Sequence, residues 1–252
     1  MAKVNLRDIP TNAPEDFDKD DTKIKLDQYT EQLAELQNLL YAENKHSVLV
    51  ILQGMDASGK DGVVKKVFSA VNPMGCRVYP FKKPTEEEAS HDFLWRIHAK
   101  APEKRMIHIF NRSHYEDVLV QRVELGIGME KVKRRFDYIN NFERLLQENN
   151  THILKFYLHI SKEEQLERFK ERLEIPSKKW KYNPSDLTTT KYWDEYMKAY
   201  EDVIEHCSPE IPWHIIPSDQ NWYKEYLVAE KIVSLLSGLN MQYPKLDLKQ
   251  EK

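Results

Sequence analysis

Residues 48–62 read VLVILQGMDASGKDG, and the fold turns on them. The apolar run 48–52 predicts a buried strand. Gly54 and Gly59 bound a turn, after which Lys60 leads into the helix-compatible run VVKKVFSAV at 63–71. Strand, G-x-x-x-x-G-K turn and helix, in that order, describe a phosphate-binding loop. Glycines let successive N–H groups face inward, and the helix adds its unpaired N–H groups and positive dipole end. The bare pattern would arise by chance in roughly one chain in ten of this length, so the flanking strand and helix carry the specificity. Phosphate contacts are expected from Ala57, Ser58, Gly59, Lys60 and, further along the helix, Lys65.

Two acids set this loop apart. The Ser or Thr that usually follows the lysine is replaced by Asp61, and Asp56 sits inside the turn. Carboxylates beside a polyanion repel it unless a cation lies between them. Asp56 and Asp61 are therefore candidate metal ligands. Asp61 has a second reading, as a first-turn acid favoured by the helix dipole.

Composition bounds the function. The 252 residues fit one α/β domain over 1–252, large enough for a full core. Charged residues reach 31% and mean hydropathy is −0.70, so no segment is expected to span a membrane. No basic start followed by an apolar run suggests a secretory signal. The two cysteines, Cys76 and Cys207, demand neither a zinc cluster nor a disulfide, which places the protein in a reduced cytoplasm. A net charge of −3 argues against nucleic acid as partner. Positive surface must then be a local groove.

Along the chain, residues 1–21 read as a polar arm and 22–43 as an amphipathic helix. A second strand at 76–81 ends in Lys82 and Lys83, and Thr85 with Glu88 forms a capping box for a helix over 86–100. Ligands of open α/β sheets bind beyond the carboxyl ends of the strands, so Lys82 and Lys83 are candidate anion contacts. The third strand, 106–110, runs into NRSHYED. The strand beside a phosphate loop normally ends in a magnesium-organising aspartate; here that place holds Asn111. Arg112 follows, with a guanidinium able to bridge phosphoryl oxygens. Glu116 and Asp117 could hold a metal or a second substrate.

A long amphipathic helix is expected over 129–148, a fourth strand over 152–160, and a helix capped by Ser161 and Glu164 running to 173. Residues 168–181, RFKERLEIPSKKWK, hold Arg168, Lys170, Arg172, Lys178, Lys179 and Lys181 around Ile175-Pro176. A basic helix end entering a proline-broken basic loop reads as a lid, about 168–187, that closes on phosphates. A tyrosine-rich helix at 189–206, explained by core or interface packing, leads to a fifth strand at 213–216 and a last helix at 222–239. Strands alternating with helices give a three-layer α/β/α sandwich with a central parallel five-stranded sheet and a helical basic lid.

GMDASGKDG, FKKPT, FNRSHYEDVLVQRV and the lid stretch, in this order, resemble the polyphosphate kinase 2 family over roughly 20–245. The resemblance implies a thymidylate-kinase-like fold. It also implies reversible, magnesium-dependent transfer of the terminal phosphoryl of inorganic polyphosphate to a nucleotide, with manganese as an alternative ion. Asp56 and Lys60 match the loop's catalytic acid and lysine, and Arg112 the arginine after the third strand. Much of the family has aspartate at the position of Asn111. The Asn-Arg-Ser-His-Tyr-Glu-Asp form looks like the branch acting on both nucleoside mono- and diphosphates, such as AMP/ADP and GMP/GDP. Polyphosphate offers neither base nor sugar to recognise, so cations should hold it: Arg112, Arg122, and Arg172 and Lys179 of the lid. Lys82, Lys83, Asn111, Glu116 and Asp117 are assigned to the nucleotide; Asp56, Asp61 and Glu116 to the metal. A homo-oligomer, dimer or tetramer, is expected. The alternatives are an ATP-dependent nucleotide or small-molecule kinase of the thymidylate-kinase type and a non-enzymatic polyanion binder. A GTP switch is disfavoured because no N-K-x-D motif occurs.

Overall fold

In the computed structural model, which describes residues 3–181 and 190–245, the apolar run of the phosphate motif is the central strand of a sheet. The strands are β1 (Ser47–Gly54), β2 (Cys76–Pro80), β3 (Ile107–Asn111), β4 (Thr151–His159) and β5 (Trp213–Pro217). They are all parallel, in the order β2-β3-β1-β4-β5. β1 is buried along its whole length, as expected for a strand covered on both faces.

Side-chain alternation along β1 divides the core. Leu49 and Ile51 pack toward α5 (Glu116–Val123), α6 (Met129–Glu148) and α8 (Trp193–His206). Val48, Val50 and Leu52 pack toward α1 (Lys19–Glu43), α2 (Lys60–Val67) and α9 (Asn221–Gly238). The three layers follow from this period of two. In register, Leu52 of β1 lies beside Asn111 of β3 and Phe156 of β4. The phosphate loop and the NRSHYED segment therefore leave the sheet side by side, at its carboxyl edge.

Several expected boundaries shift for local reasons. The helix expected over 86–100 is two short ones, α3 (Glu86–Ser90) and α4 (Trp95–His98). The capping box of Thr85 and Glu88 is present, but Asp92 accepts a bond from Leu94 N, 2.9 Å, and offers the backbone an alternative to helix. α2 stops at Val67, four residues before the expected end, and Asn72 caps the following turn by accepting from Met74 N. Ser161 does cap α7 (Lys162–Glu174), but the Glu164 carboxylate bonds Arg168 at 2.8 Å, so the box there is half made.

The polar arm packs over the carboxyl edge. Leu6 is buried in the core, His159 Nε2 lies 2.9 Å from Leu6 O, and Thr11 Oγ1 lies 2.7 Å from Asp219 Oδ2. The expected lid is covered by α7 and the 3-10 turn Pro176–Lys181; its remainder, 182–187, lies outside the described residues. In α8, Trp193, Tyr196 and Tyr200 are buried in the chain's own core, while Tyr192, just before it, is exposed. Among the described residues, no helix is long and apolar enough to cross a membrane.

Candidate active site

The phosphate loop runs from the end of β1 to the start of α2. Gly54 and Gly59 have φ of +154° and +94°, and Ala57 also enters the left-handed region at +62°. Glycine is required at 59 on two counts: its φ, and the Nζ of Lys224, which would stand 2.1 Å from any Cβ there. Lys60 folds back over the turn, its Nζ donating to Gly54 O at 2.8 Å and Met55 O at 3.1 Å. Burial, with repulsion from Arg112 second, lowers its pKa to about 8; Asp56, Glu116 and Asp61 act in the opposite direction. The three acids thus share the field of one ammonium.

Arg112 follows β3 directly, in the left-handed region at φ +63°. Its N–H donates to Leu52 O, 3.1 Å, which carries the β1–β3 ladder one step past the sheet. The guanidinium then spans two acids: Nη2 lies 2.5 Å from Asp56 Oδ1, and Nη1 lies 3.1 Å from Glu116 Oε2. Glu116, against the cost of burial and aided by Asp56, holds this guanidinium firmly charged. Asn111 Nδ2 donates to Asp61 Oδ1 at 2.8 Å. An amide there takes the proton-donor side of a contact that an aspartate could make only by repelling Asp61.

Asp56, Lys60, Asp61, Asn111, Arg112 and Glu116 are thus brought together at one strand edge. Beside them a crevice between α5 and α8 is lined by Asp56, Arg112, Glu116, Glu124, Tyr196 and Tyr200. Tyr196 OH donates to Glu124 Oε1 at 2.6 Å. Burial raises the pKa of both tyrosines, so they serve as neutral donors at its wall.

The other expected contacts lie elsewhere. Asp117 is buried on the far side of α5, with Arg135 Nη1 on its carbonyl at 2.5 Å and Arg96 Nη2 4.0 Å from its carboxylate. One position along a helix rotates a side chain by about 100°, and Glu116 takes the site-facing position. Arg122 turns toward α8, donating to Asp202 Oδ2 at 2.7 Å. Lys65 is exposed on α2, and Lys82 and Lys83 are exposed past β2, where Arg96 Nη1 holds the backbone carbonyl of Lys82 at 2.8 Å. Arg172 lies over the Phe169 ring and Lys179 is exposed on the 3-10 turn. Arg168 was expected in the lid; it is instead pinned beneath the loop, bonding Ala57 O at 2.8 Å and Asp219 O at 2.8 Å.

Sequence reading missed Lys224, Gln165, Glu124 and the roles of Tyr196 and Tyr200. A signal existed for Lys224. It is spaced at i, i+4, i+8 with Val228 and Ile232, all fully buried, and a lysine in a buried stripe implies a partner.

No three His, Cys, Asp or Glu side chains gather into a preformed metal centre among the described residues. The donor set still fits a hard divalent ion. Magnesium is commonly held by one or two carboxylates together with substrate phosphates, and Asp56, Asp61 and Glu116 supply oxygen donors at the mouth of the loop.

Sheet order, phosphate loop and the lysine–arginine pair define a phosphate-loop kinase type of α/β protein. Within that class, the family model described as polyphosphate kinase 2 matches residues 16–244, and the chain belongs to that family of phosphate-transferring enzymes. It is 50% identical over 222 residues, 88% of this chain and 83% of the relative, to the AMP/ADP-polyphosphate phosphotransferase of Meiothermus ruber. It is 41% identical to the ADP-polyphosphate phosphotransferase of Rhodopseudomonas palustris, over 96% of this chain and 89% of the relative. The crystal structure of polyphosphate kinase 2 from Arthrobacter aurescens superposes with a TM-score of 0.95 at 41% identity, covering 99% of this chain and 90% of that one.

Proposed function

We propose that this protein is a polyphosphate:nucleotide phosphotransferase, acting on nucleoside mono- and diphosphates of adenine or guanine with magnesium, or manganese in its place. The observation that carries the reading is the Arg112 guanidinium bridging Asp56 of the phosphate loop and Glu116 of α5, in a chain of this family. That arrangement puts one fixed cation between a donor-binding loop and a crevice. The relatives named for AMP, ADP or both as acceptors support the acceptor class.

In this reading the loop amides and Lys60 hold the terminal donor phosphates, and Arg112 and Lys60 take up the charge that builds on the transferring group. Little covalent chemistry falls to the protein, so catalysis is positioning plus charge neutralisation of an in-line transfer. A magnesium ion held by Asp56 with Asp61 or Glu116 would neutralise phosphate charge and allow carboxylates and polyanion to share the site. Arg172, Lys178 and Lys179 are proposed to follow the extended anion along α7 and its turn. The two free cysteines accord with a cytoplasmic setting, and a homo-oligomer, expected from the aromatic helices, is part of the proposal.

The test is a purified-enzyme assay with polyphosphate as sole phosphoryl donor, across AMP, ADP, GMP and GDP, with magnesium or manganese. Magnesium-dependent product from polyphosphate supports the reading. Turnover only with ATP as donor would replace it by an ATP-dependent kinase, and binding without turnover by a polyanion module. Light scattering on the eluted peak decides the oligomer.

A further inference from the structure

We infer that Gln165, Arg168 and Lys224 form a clamp behind the phosphate loop and are positioning residues for the phosphate chain it holds. Three successive loop carbonyls are each gripped from outside. Gln165 Nε2 donates to Asp56 O at 2.9 Å, Arg168 Nη1 to Ala57 O at 2.8 Å, and Lys224 Nζ to Ser58 O at 3.0 Å. These peptides are trans, and in a trans peptide the C=O of one residue and the N–H of the next point opposite ways. Fixing the carbonyls outward therefore turns the N–H groups of Ala57, Ser58 and Gly59 to the inner side. The Ser58 N–H closes the turn on Met55 O at 3.1 Å. Those of Ala57 and Gly59 have no acceptor among the described residues and can meet an anion, in the nest-like backbone that suits one.

The clamp is itself held. Arg168 Nε bonds Glu164 Oε1 at 2.8 Å and Nη2 bonds Ser218 O at 2.9 Å; Lys224 Nζ bonds Asn221 Oδ1 at 2.8 Å; Gln165 Oε1 accepts from Thr190 Oγ1 at 3.1 Å. Gln165 and Lys224 are fully buried. Packing does not need a charge at 224, since burying one costs stability that an apolar side chain of the same shape would avoid. What the lysine does provide is a donor strong enough to hold the Ser58 carbonyl, with Ala57 kept at a positive φ that a non-glycine residue adopts at a cost. All three contacts are made to loop carbonyls, so the effect proposed for them passes through the loop amides.

The inference rests on the phosphotransferase reading for the identity of the anion. Binding of inorganic tripolyphosphate, followed by calorimetry, tests it in wild type, Gln165→Leu, Lys224→Met and Lys224→Gln, with thermal midpoints measured without ligand. Gln165→Leu removes a neutral donor and no charge, so it isolates loop orientation from electric field. We expect Gln165→Leu and Lys224→Met each to weaken tripolyphosphate binding about tenfold, the size of one buried hydrogen bond lost, with Lys224→Gln between them and wild type. Gln165→Met, close in volume, stands in if Gln165→Leu does not fold. Folded Gln165 and Lys224 variants that bind as wild type overturn the clamp. A loss confined to Lys224→Met, with the Gln165 variant unaffected, also overturns it, because the field of a buried charge would then be the whole effect. Failure of wild type itself to bind tripolyphosphate would instead fall on the proposed function.

Discussion

Arg112 Nη2 lies 2.5 Å from Asp56 Oδ1, so a side chain from the end of β3 closes the mouth of the loop that ends β1. The adjacent strands make this contact possible, since the Arg112 N–H bonds Leu52 O as the next rung of the ladder. The cation and the acid satisfy each other, and Lys60 does the same with the carbonyls of Gly54 and Met55. A bound phosphoryl group offers these donors better acceptors. The site is therefore preorganised in position and self-neutralised in charge.

Lys60 is the first residue to test. If its ammonium takes up charge in the transition state, Lys60→Ala should lower kcat by about a hundredfold or more while the fold persists. Steady-state kinetics beside a circular dichroism melt checks both halves. Near-normal turnover in a folded variant would remove the phosphate loop from the mechanism.

The buried pair Lys155–Glu143 predicts a stability effect apart from the chemistry. Lys155 Nζ lies 2.7 Å from Glu143 Oε2, and Tyr115 OH and His114 Nε2 lie 2.8 and 3.2 Å from Glu143 Oε1, all inside the core. Lys155→Met leaves a carboxylate without its cation and should cost about 3–5 kcal/mol. Adding Glu143→Gln should recover much of that loss, because a neutral amide still accepts from Tyr115. Urea unfolding of the single and double variants measures both. Equal stabilities for the two would mean that the charge pair is not what Lys155 contributes.

How much of this was legible depends on whether the signal was local. The strand, the turn and Lys60 form one contiguous motif, and the NRSHYED segment placed Asn111, Arg112 and Glu116 at a strand end. Both readings needed only short-range patterns. Asp117 and Arg122 misled because composition shows a charge but not the face of α5 it occupies; their partners, Arg135 and Asp202, come from other helices. Arg168 sits within the same basic run as Lys170 and Lys179, which are exposed, and only tertiary packing, through its bonds to Ala57 O and Asp219 O, separates it from them. Lys224 lies 164 residues after Lys60 in the chain, by difference of their numbers. Its link to the loop is a product of the sheet order, which no local window contains.

The charge of Lys224 predicts a pH effect of definite sign. Burial, with repulsion from Arg168 next, lowers its pKa from 10.5 to about 7; Glu225 and Glu164 oppose that shift and Lys60 adds to it. Between those two values the unfolded chain binds more protons here than the folded one, so stability from this site rises with pH. Below about 7 the cost of a buried charge is present in full. Relative to Lys224→Met, the wild type should therefore gain stability as pH increases from 6.5 to about 9.5. Denaturant midpoints of both proteins across that range give the difference, in which other titrating groups cancel. A constant gap would mean that Lys224 keeps its proton throughout.

The basic stretch after α7 should act through long-range charge. Lys178 pairs with Glu171 and Lys179 is exposed, so both meet solvent and are screened by salt. Replacing both by alanine should raise KM for polyphosphate and flatten its dependence on salt, with kcat on saturating donor changed less. The KM for the nucleotide should stay where it was. Unchanged donor kinetics over a salt series would return this stretch to an ordinary solvated surface.

The last prediction concerns the acids. Asn111 ends β3 as a neutral amide and spends it on Asp61, so an anionic anchor near the acceptor must come from elsewhere. Glu116 is placed for this: its Oε2 meets Arg112 Nη1 at 3.1 Å, and it lines the crevice with Tyr196 and Tyr200. A monophosphate acceptor is one phosphate shorter than a diphosphate, and a hydrated magnesium held by a carboxylate could fill the difference. Glu116→Ala should then lower activity on monophosphates more than on diphosphates. Asp56→Asn, inside the loop that both reactions use, should damage them alike. Assays of both acceptors at matched free magnesium decide it. Equal losses in Glu116→Ala would make Glu116 a support for Arg112 and leave acceptor length to be read by another residue.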